Sequence, residues 1–398
     1  MGGQVYDVGA ESFRRADIGI DGDRIAAILD SGRPGTGDDV VDVDGAWLLP
    51  GLIDCHVHLT QPTDAGDPAK ASSRSDAAVA LYTAAAAERT VAAGITTVRD
   101  VGGWNYVEMD VRDAIEAGTL RGPRMFLAGK LLSITTSTVH YYPGMYEVAD
   151  GADAVRAAAR RQFAHGADLV KVMATGAMLS SETEDARAIQ YTLEELKAAV
   201  ETARDNHKHV AAHCHALLGL ENAVEAGVDS IEHGTFADDS VLMRMAEQGT
   251  ALVPTICAGE LLFRDLDVVA SMPEHLRKRM VEFNDVHTAA VRRAHELGVT
   301  IAMGTDAGTP GNHHGLNPHE CVFMVEQCGL SPAASIRSAT LDAARLLRQD
   351  HQLGVLDVGA YADVIAVNGN PLDDIHELTR VAVVVAAGTV VRNDRAST

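Results

Sequence analysis

Leu48-Leu49-Pro50-Gly51-Leu52-Ile53-Asp54-Cys55-His56-Val57-His58 reads as an apolar strand that ends in two histidines one residue apart. Side chains alternate faces along a strand, so His56 and His58 share one face while Cys55 and Val57 take the other. Two imidazoles on one face of a strand end can grip one metal ion, and Pro50-Gly51 punctuates the strand's start. The pair alone is a common motif. Its meaning depends on whether other strand ends supply further ligands.

Seven more strand-like runs follow, at 95–100, 125–128, 168–173, 209–213, 229–233, 251–256 and 299–303. Between them lie Ala-rich stretches with helical periodicity, among them 152–164, 193–206 and 217–226. Thr192 ahead of Glu194 and Glu195 reads as an N-cap with an acidic first turn. Gly94, Gly166, Gly227, Gly249 and Gly298 each stand where a helix gives way to a strand. Eight such β/α repeats predict an α/β fold, the (β/α)8 TIM barrel. A doubly wound sheet is disfavoured, because no Gly-x-Gly-x-x-Gly follows an early strand. Both chain ends instead carry short alternating stretches separated by Gly, Asn and Pro turns. Each end is too small to bury a core. The expectation is one small composite β-sandwich from residues 1–48 and 350–398, with the barrel at 49–349.

The chain has 398 residues and a formal charge of −23, which argues against nucleic acid as a partner. No apolar run approaches the roughly 18 residues of a membrane span. The start, Met1-Gly2-Gly3-Gln4, lacks the basic and apolar regions of a signal peptide. Five cysteines without framework spacing read as reduced thiols. A cytoplasmic homo-oligomer acting on a small-molecule substrate, with no membrane partner, is the expectation.

In a barrel, chemistry sits at the C-terminal ends of the strands. Those ends carry His56 and His58, Lys171, His213, His233 and Asp306, which suits a two-metal hydrolytic site if the lysine can act as an anion. Lys171 lies in the apolar run Asp168-Leu169-Val170-Lys171-Val172-Met173, where an unpaired ammonium is costly. Either a neighbouring carboxylate pairs with it, or its pKa falls and the free amine takes up carbon dioxide as a carbamate that bridges two metals.

These residues resemble the amidohydrolase superfamily, in the strand-one His56-Val57-His58, in Lys171, in His213, in Ile231-Glu232-His233-Gly234 and in Gly304-Thr305-Asp306-Ala307-Gly308. Within it, Ala211-Ala212-His213-Cys214-His215 and the lysine strand are similar to the prolidase-like (Xaa-Pro dipeptidase) and imidazolonepropionase-like branch. The resemblance implies that His56, His58 and Asp306 hold one divalent metal and that His213 and His233 hold a second, with carboxylated Lys171 bridging. Zinc suits such ligands, while manganese, iron and cobalt stay open. A metal-bridging hydroxide would attack the carbonyl of an amide-type C–N bond, with Asp306 as general base and acid. Dipeptides, N-acyl amino acids, cyclic amides and carbamates all fit.

The alternatives are deamination of a heterocyclic amine at a mononuclear-type site, and lactone or ester hydrolysis on the same site. Deaminases of the superfamily usually place a Glu three residues after the strand-five His. Here Ala216 stands there. His140, in the loop after strand three, and His215, on the face of His213, are the candidate substrate contacts. His215 can equally serve as a hydrogen-bonding support. Arg99 and Asp100 read as a buried ion pair under the site, and Glu232 as facing away from it. His313, His314 and His319 read as packing or exposed residues, and 175–190 as a lid.

Overall fold

The computed structural model describes residues 1–30, 39–61, 74–140, 142, 144–178 and 184–395. Four strands open the chain: β1 (Gly3–Asp7), β2 (Ser12–Asp21), β3 (Arg24–Leu29) and β4 (Trp47–Pro50). The barrel region contributes β5 (Leu52–Val57), β6 (Ile95–Asp100), β7 (Arg124–Leu127), β8 (Leu131–Ser133) and β9 (Tyr146–Val148). It continues through β10 (Leu169–Met173), β11 (His209–Cys214), β12 (Ser230–His233) and β13 (Ala251–Val253). The chain ends in β14 (Val364–Val367), β15 (Val383–Ala386) and β16 (Thr389–Asn393).

Both chain ends enter one seven-stranded sheet, ordered β16-β15-β14-β4-β1-β2-β3. It has its own core, where Val5, Ile25 and Leu48 meet Val364 and Val383. Neither end could bury these side chains without the other.

The barrel strands pair in parallel, β5 with β6, β6 with β7, and β10 through β13 in sequence. Their side chains are buried on both faces, as strands wrapped by helices must be. The run at 299–303 is less regular than the alternation suggests. It joins the barrel through Leu252 N–H to Thr300 O (2.9 Å) and Ala302 N–H to Leu252 O (3.0 Å) on one side, and Cys55 N–H to Met303 O (2.8 Å) on the other. These bonds close the (β/α)8 barrel with isolated bridges in place of a full ladder. The run at 251–256 is also shorter than its apolar length suggests, since Ile256 already begins a helix.

Helix signals act where the sequence places them. Thr192 and Glu195 form a complete capping box on the helix Leu193–Asp205. Gly227 and Gly249 end their helices in the left-handed region, where a Cβ would be strained. No helix among the described residues is long and apolar enough to cross a membrane.

Candidate active site

His56 and His58 leave the end of β5 on one face, and Asp306 meets them from the turn after the eighth strand. Asp306 Oδ1 lies 3.4 Å from His56 Nε2 and 3.3 Å from His58 Nε2. The far nitrogens decide what these contacts are. His56 Nδ1–H donates to Glu232 Oε2 at 2.7 Å, and His58 Nδ1–H donates to the Gly102 carbonyl at 3.0 Å. Both Nε2 atoms of the neutral rings therefore present lone pairs to a carboxylate oxygen. Lone pair against lone pair is repulsive, so a cation must stand between them, either a proton or a metal. Burial alone would lower the His58 pKa, but the hydrogen bond and charge of Asp306 outweigh it and raise it. Burial would raise the Asp306 carboxyl, yet the facing His56 and His58 rings hold it well below the usual range.

A second group faces them. His213, His215 and His233 have ring nitrogens within 4.8 Å of one another. His213 Nε2–H donates to the Gly176 carbonyl (3.0 Å), which leaves Nδ1 as its acceptor. His215 Nδ1 bonds Thr235 Oγ1 (2.8 Å), and His233 Nδ1 bonds Thr255 Oγ1 (2.6 Å). Burial, with the Lys171 charge next, pulls His213 down to about 3, and burial takes His215 and His233 well below the ordinary value. Neutral imidazoles clustered this way could hold a metal ion. Lys171 lines the same cavity, 1% exposed, and its Nζ has no hydrogen-bond partner. Burial lowers its pKa to about 8, against the opposing pull of Glu232.

Backbone strain gathers here as well. His233, Thr255 and Asp306 all hold positive φ, at 70°, 60° and 59°. Non-glycine residues pay for that conformation, and surrounding bonds must enforce it. Asp306 N–H reaches His56 O at 2.7 Å, and Thr255 N–H reaches Gly304 O at 3.0 Å.

Beneath the donors lies a buried polar network. Arg99 pairs with Glu232 at 2.8 Å and donates to Cys55 O at 2.6 Å. Glu232 also accepts from Ser230 Oγ at 2.5 Å. Burial raises the Glu232 carboxyl, but Arg99 and then Lys171 overcome this and hold it ionised. The expected Arg99–Asp100 pair is thus replaced by Arg99–Glu232. Glu232 faces inward to His56, because the barrel interior is where a strand-end carboxylate finds both donors. Asp100 instead accepts from Leu59 N–H (2.8 Å) and Gly102 N–H (3.0 Å). Asp54 ties strand one to the Asp306 turn, accepting from Thr305 Oγ1 (2.6 Å) and Asn317 Nδ2 (2.8 Å).

The donors open into a cavity that also takes in His215. His140 does not line it. That residue is exposed at the end of the 3-10 turn Ser137–His140, and Tyr142, Met145 and Tyr146 from the same connection reach the cavity instead. His313, His314 and His319 also lie off the cavity lining; His319 Nδ1 bonds Leu316 O (2.9 Å). Within 175–190, residues 179–183 lie outside the described residues, while Ala177 and Met178 line the cavity. Sequence reasoning missed the helix Glu274–Glu296, which turns Met280, Phe283, Asn284 and His287 toward the cavity. Their i, i+3, i+4, i+7 spacing was a readable signal.

Imidazole and carboxylate donors at the C-terminal mouth of a β/α barrel define a class of metal-dependent hydrolases. The chain belongs to the amidohydrolase family, whose model matches residues 47–391. It is similar to the ochratoxinase of Aspergillus niger, at 33% identity over 82% of this chain and 71% of that one. It is also similar to the imidazolonepropionase of Streptomyces coelicolor, at 26% identity over 96% and 92%. A solved structure of a Xaa-Pro dipeptidase with bound methionine in the active site superposes at TM-score 0.89, with 37% identity and 98% of each chain covered. The chain is accordingly an amidohydrolase-family hydrolase, and the family is metal-dependent.

Proposed function

We propose that the chain is a binuclear hydrolase of an amide-type C–N bond, with His56, His58 and Asp306 holding one divalent ion and His213 and His233 a second. The observation that carries this reading is the convergence of two acceptor nitrogens on one Asp306 oxygen, with the far nitrogens fixed as donors. Lys171 fits the bridging role as a carbamate, because its Nζ is buried without a hydrogen-bond partner and burial favours the free amine that can take up carbon dioxide. His215 stands close enough to His213 and His233 to act as a further donor or to orient them.

Zinc, the ion this nitrogen and oxygen donor set suits best, would lower the pKa of water to roughly 7 and polarise a carbonyl oxygen. The residues do the rest. Asp306 lines the cavity as an ionised carboxylate, so it can take the proton of the attacking water and return it to the leaving nitrogen as the C–N bond breaks. Glu232 and Gly102 keep His56 and His58 in the tautomer whose Nε2 faces the site.

The amide-hydrolysing relatives support amide chemistry. Ala216, where a deaminase of this superfamily carries a glutamate, supports hydrolysis over deamination. The test is hydrolysis of N-acyl, dipeptide, carbamate and lactone substrates by the metal-loaded chain, before and after chelation. Activity that survives complete metal removal contradicts the proposal.

A further inference from the structure

Two apolar walls flank the donors. On one side Met280 and Phe283, one turn apart on the helix Glu274–Glu296, line the cavity, with Met280 in a cluster against which Met178 packs. On the other, Leu131 and Met145 belong to a second cluster on which Tyr142 and Tyr146 pack. Thioethers and ring faces recognise apolar, polarisable groups.

What the walls omit matters as much. Among the described lining residues no arginine occurs, and Lys171, at the metal donors, is the sole lysine. The two nearby guanidinium groups are committed elsewhere. Arg187 pairs with Glu282 and lies over the rings of Phe236 and Phe283, while Arg279 donates to the carbonyls of Met178 (2.9 Å) and Glu184 (2.8 Å). Against the described residues of these walls, a substrate carboxylate would give up water without gaining a charge-assisted partner, which is a net loss.

We infer that the site takes neutral amides bearing an apolar group of aromatic size on each side of the scissile C–N bond, in preference to dipeptides or N-acyl amino acids with a free carboxylate. The inference rests on the hydrolase reading above. It narrows that reading to one substrate class, in which the acyl group and the amine each bury a ring against one wall.

The test uses the full-length, metal-loaded chain with phenylacetanilide, acetanilide, phenylacetamide and the zwitterionic dipeptide methionylproline. The kcat/KM for phenylacetanilide should exceed that of either trimmed amide by about tenfold or more, the discrimination expected for one buried ring. It should exceed that of the dipeptide by about 100-fold, since among the described lining residues a carboxylate meets no arginine and no lysine beyond Lys171. Phe283→Ala should lower the phenylacetanilide value about tenfold, chiefly through KM. Should that variant fail to fold, the wild-type substrate series still decides.

Calorimetry of phenylacetanilide with the metal-depleted chain separates the two readings. Binding there, together with no turnover of any compound by the metal-loaded chain, supports apolar recognition and overturns the hydrolase reading. Faster turnover of methionylproline than of phenylacetanilide overturns the substrate class and leaves the hydrolase reading standing.

Discussion

Glu232 sets the tautomer of His56, so Glu232→Gln probes the logic of the site without touching a donor. The carboxylate is fully buried and serves Arg99 at 2.8 Å, His56 Nδ1–H at 2.7 Å and Ser230 Oγ at 2.5 Å. A glutamine offers one acceptor oxygen, so its amide NH2 must face either Arg99 or His56, donor against donor. Losing one hydrogen bond to a charged group costs about 1.5–3 kcal/mol. Leaving the Arg99 guanidinium buried without its counter-charge costs about 3–5 kcal/mol, and because the two share one network they do not add in full. The variant should therefore lose about 3–5 kcal/mol in urea unfolding. Its metal affinity should fall about 10–100-fold in chelator competition, as His56 becomes free to turn Nε2–H toward the site. Adding Arg99→Met removes the stranded charge and should restore part of the stability while the affinity stays low. A folded Glu232→Gln variant with wild-type metal affinity would refute the tautomer argument.

Three further outcomes follow from the same structure. Burial, with the Asp100 charge adding, pushes the Glu108 carboxyl up to about 8, and neither of its oxygens has a partner. Unfolded glutamate ionises near pH ~4.3, so its contribution is intact below that and is lost as pH rises toward 8, by at most ~1.4 kcal/mol per pH unit. The unfolding free energy of wild type relative to Glu108→Gln should thus decline from pH 5 to pH 8 in denaturant titrations; a difference flat with pH contradicts the assignment. At Gly304 an added Cβ would lie 2.2 Å from Val253 Cγ1 and 2.8 Å from His56 Cβ. Gly304→Ala should cost about 1–3 kcal/mol and lower kcat by displacing His56, as Tm and steady-state kinetics will show, and an unchanged kcat refutes the displacement. Phe283→Ala should act through KM as described above.

Much of the fold is legible in the sequence because its signals are local. Strand ends with paired histidines, glycine helix stops and the Thr192 capping box depend on neighbours a few residues away, and they mark the β/α units directly. The candidate donors are legible for a related reason: alternation along β5, β10 and β11 places His56, Lys171 and His213 on the cavity side. Partners across the barrel are not. Arg99 pairs with Glu232 and not with adjacent Asp100, because the choice depends on which inward carboxylate meets the guanidinium, 133 residues away along the chain. The irregular eighth strand escapes for a similar reason, since its bonds come from two flanking strands and its own apolar run looks ordinary. His140 misleads because a loop's histidine says nothing about its direction, and the loop turns Tyr142 and Tyr146 inward instead. The helix Glu274–Glu296 carries a clear period, but a period alone does not say what its apolar face covers.

Metal stoichiometry tests the central claim most directly. Elemental analysis of the full-length chain, prepared in bicarbonate-containing buffer, should give two divalent ions per chain in wild type and one or none in Lys171→Ala, with activity lost in step. One ion per chain at full activity, or a Lys171→Ala variant that keeps both ions and the wild-type rate, would contradict the binuclear site.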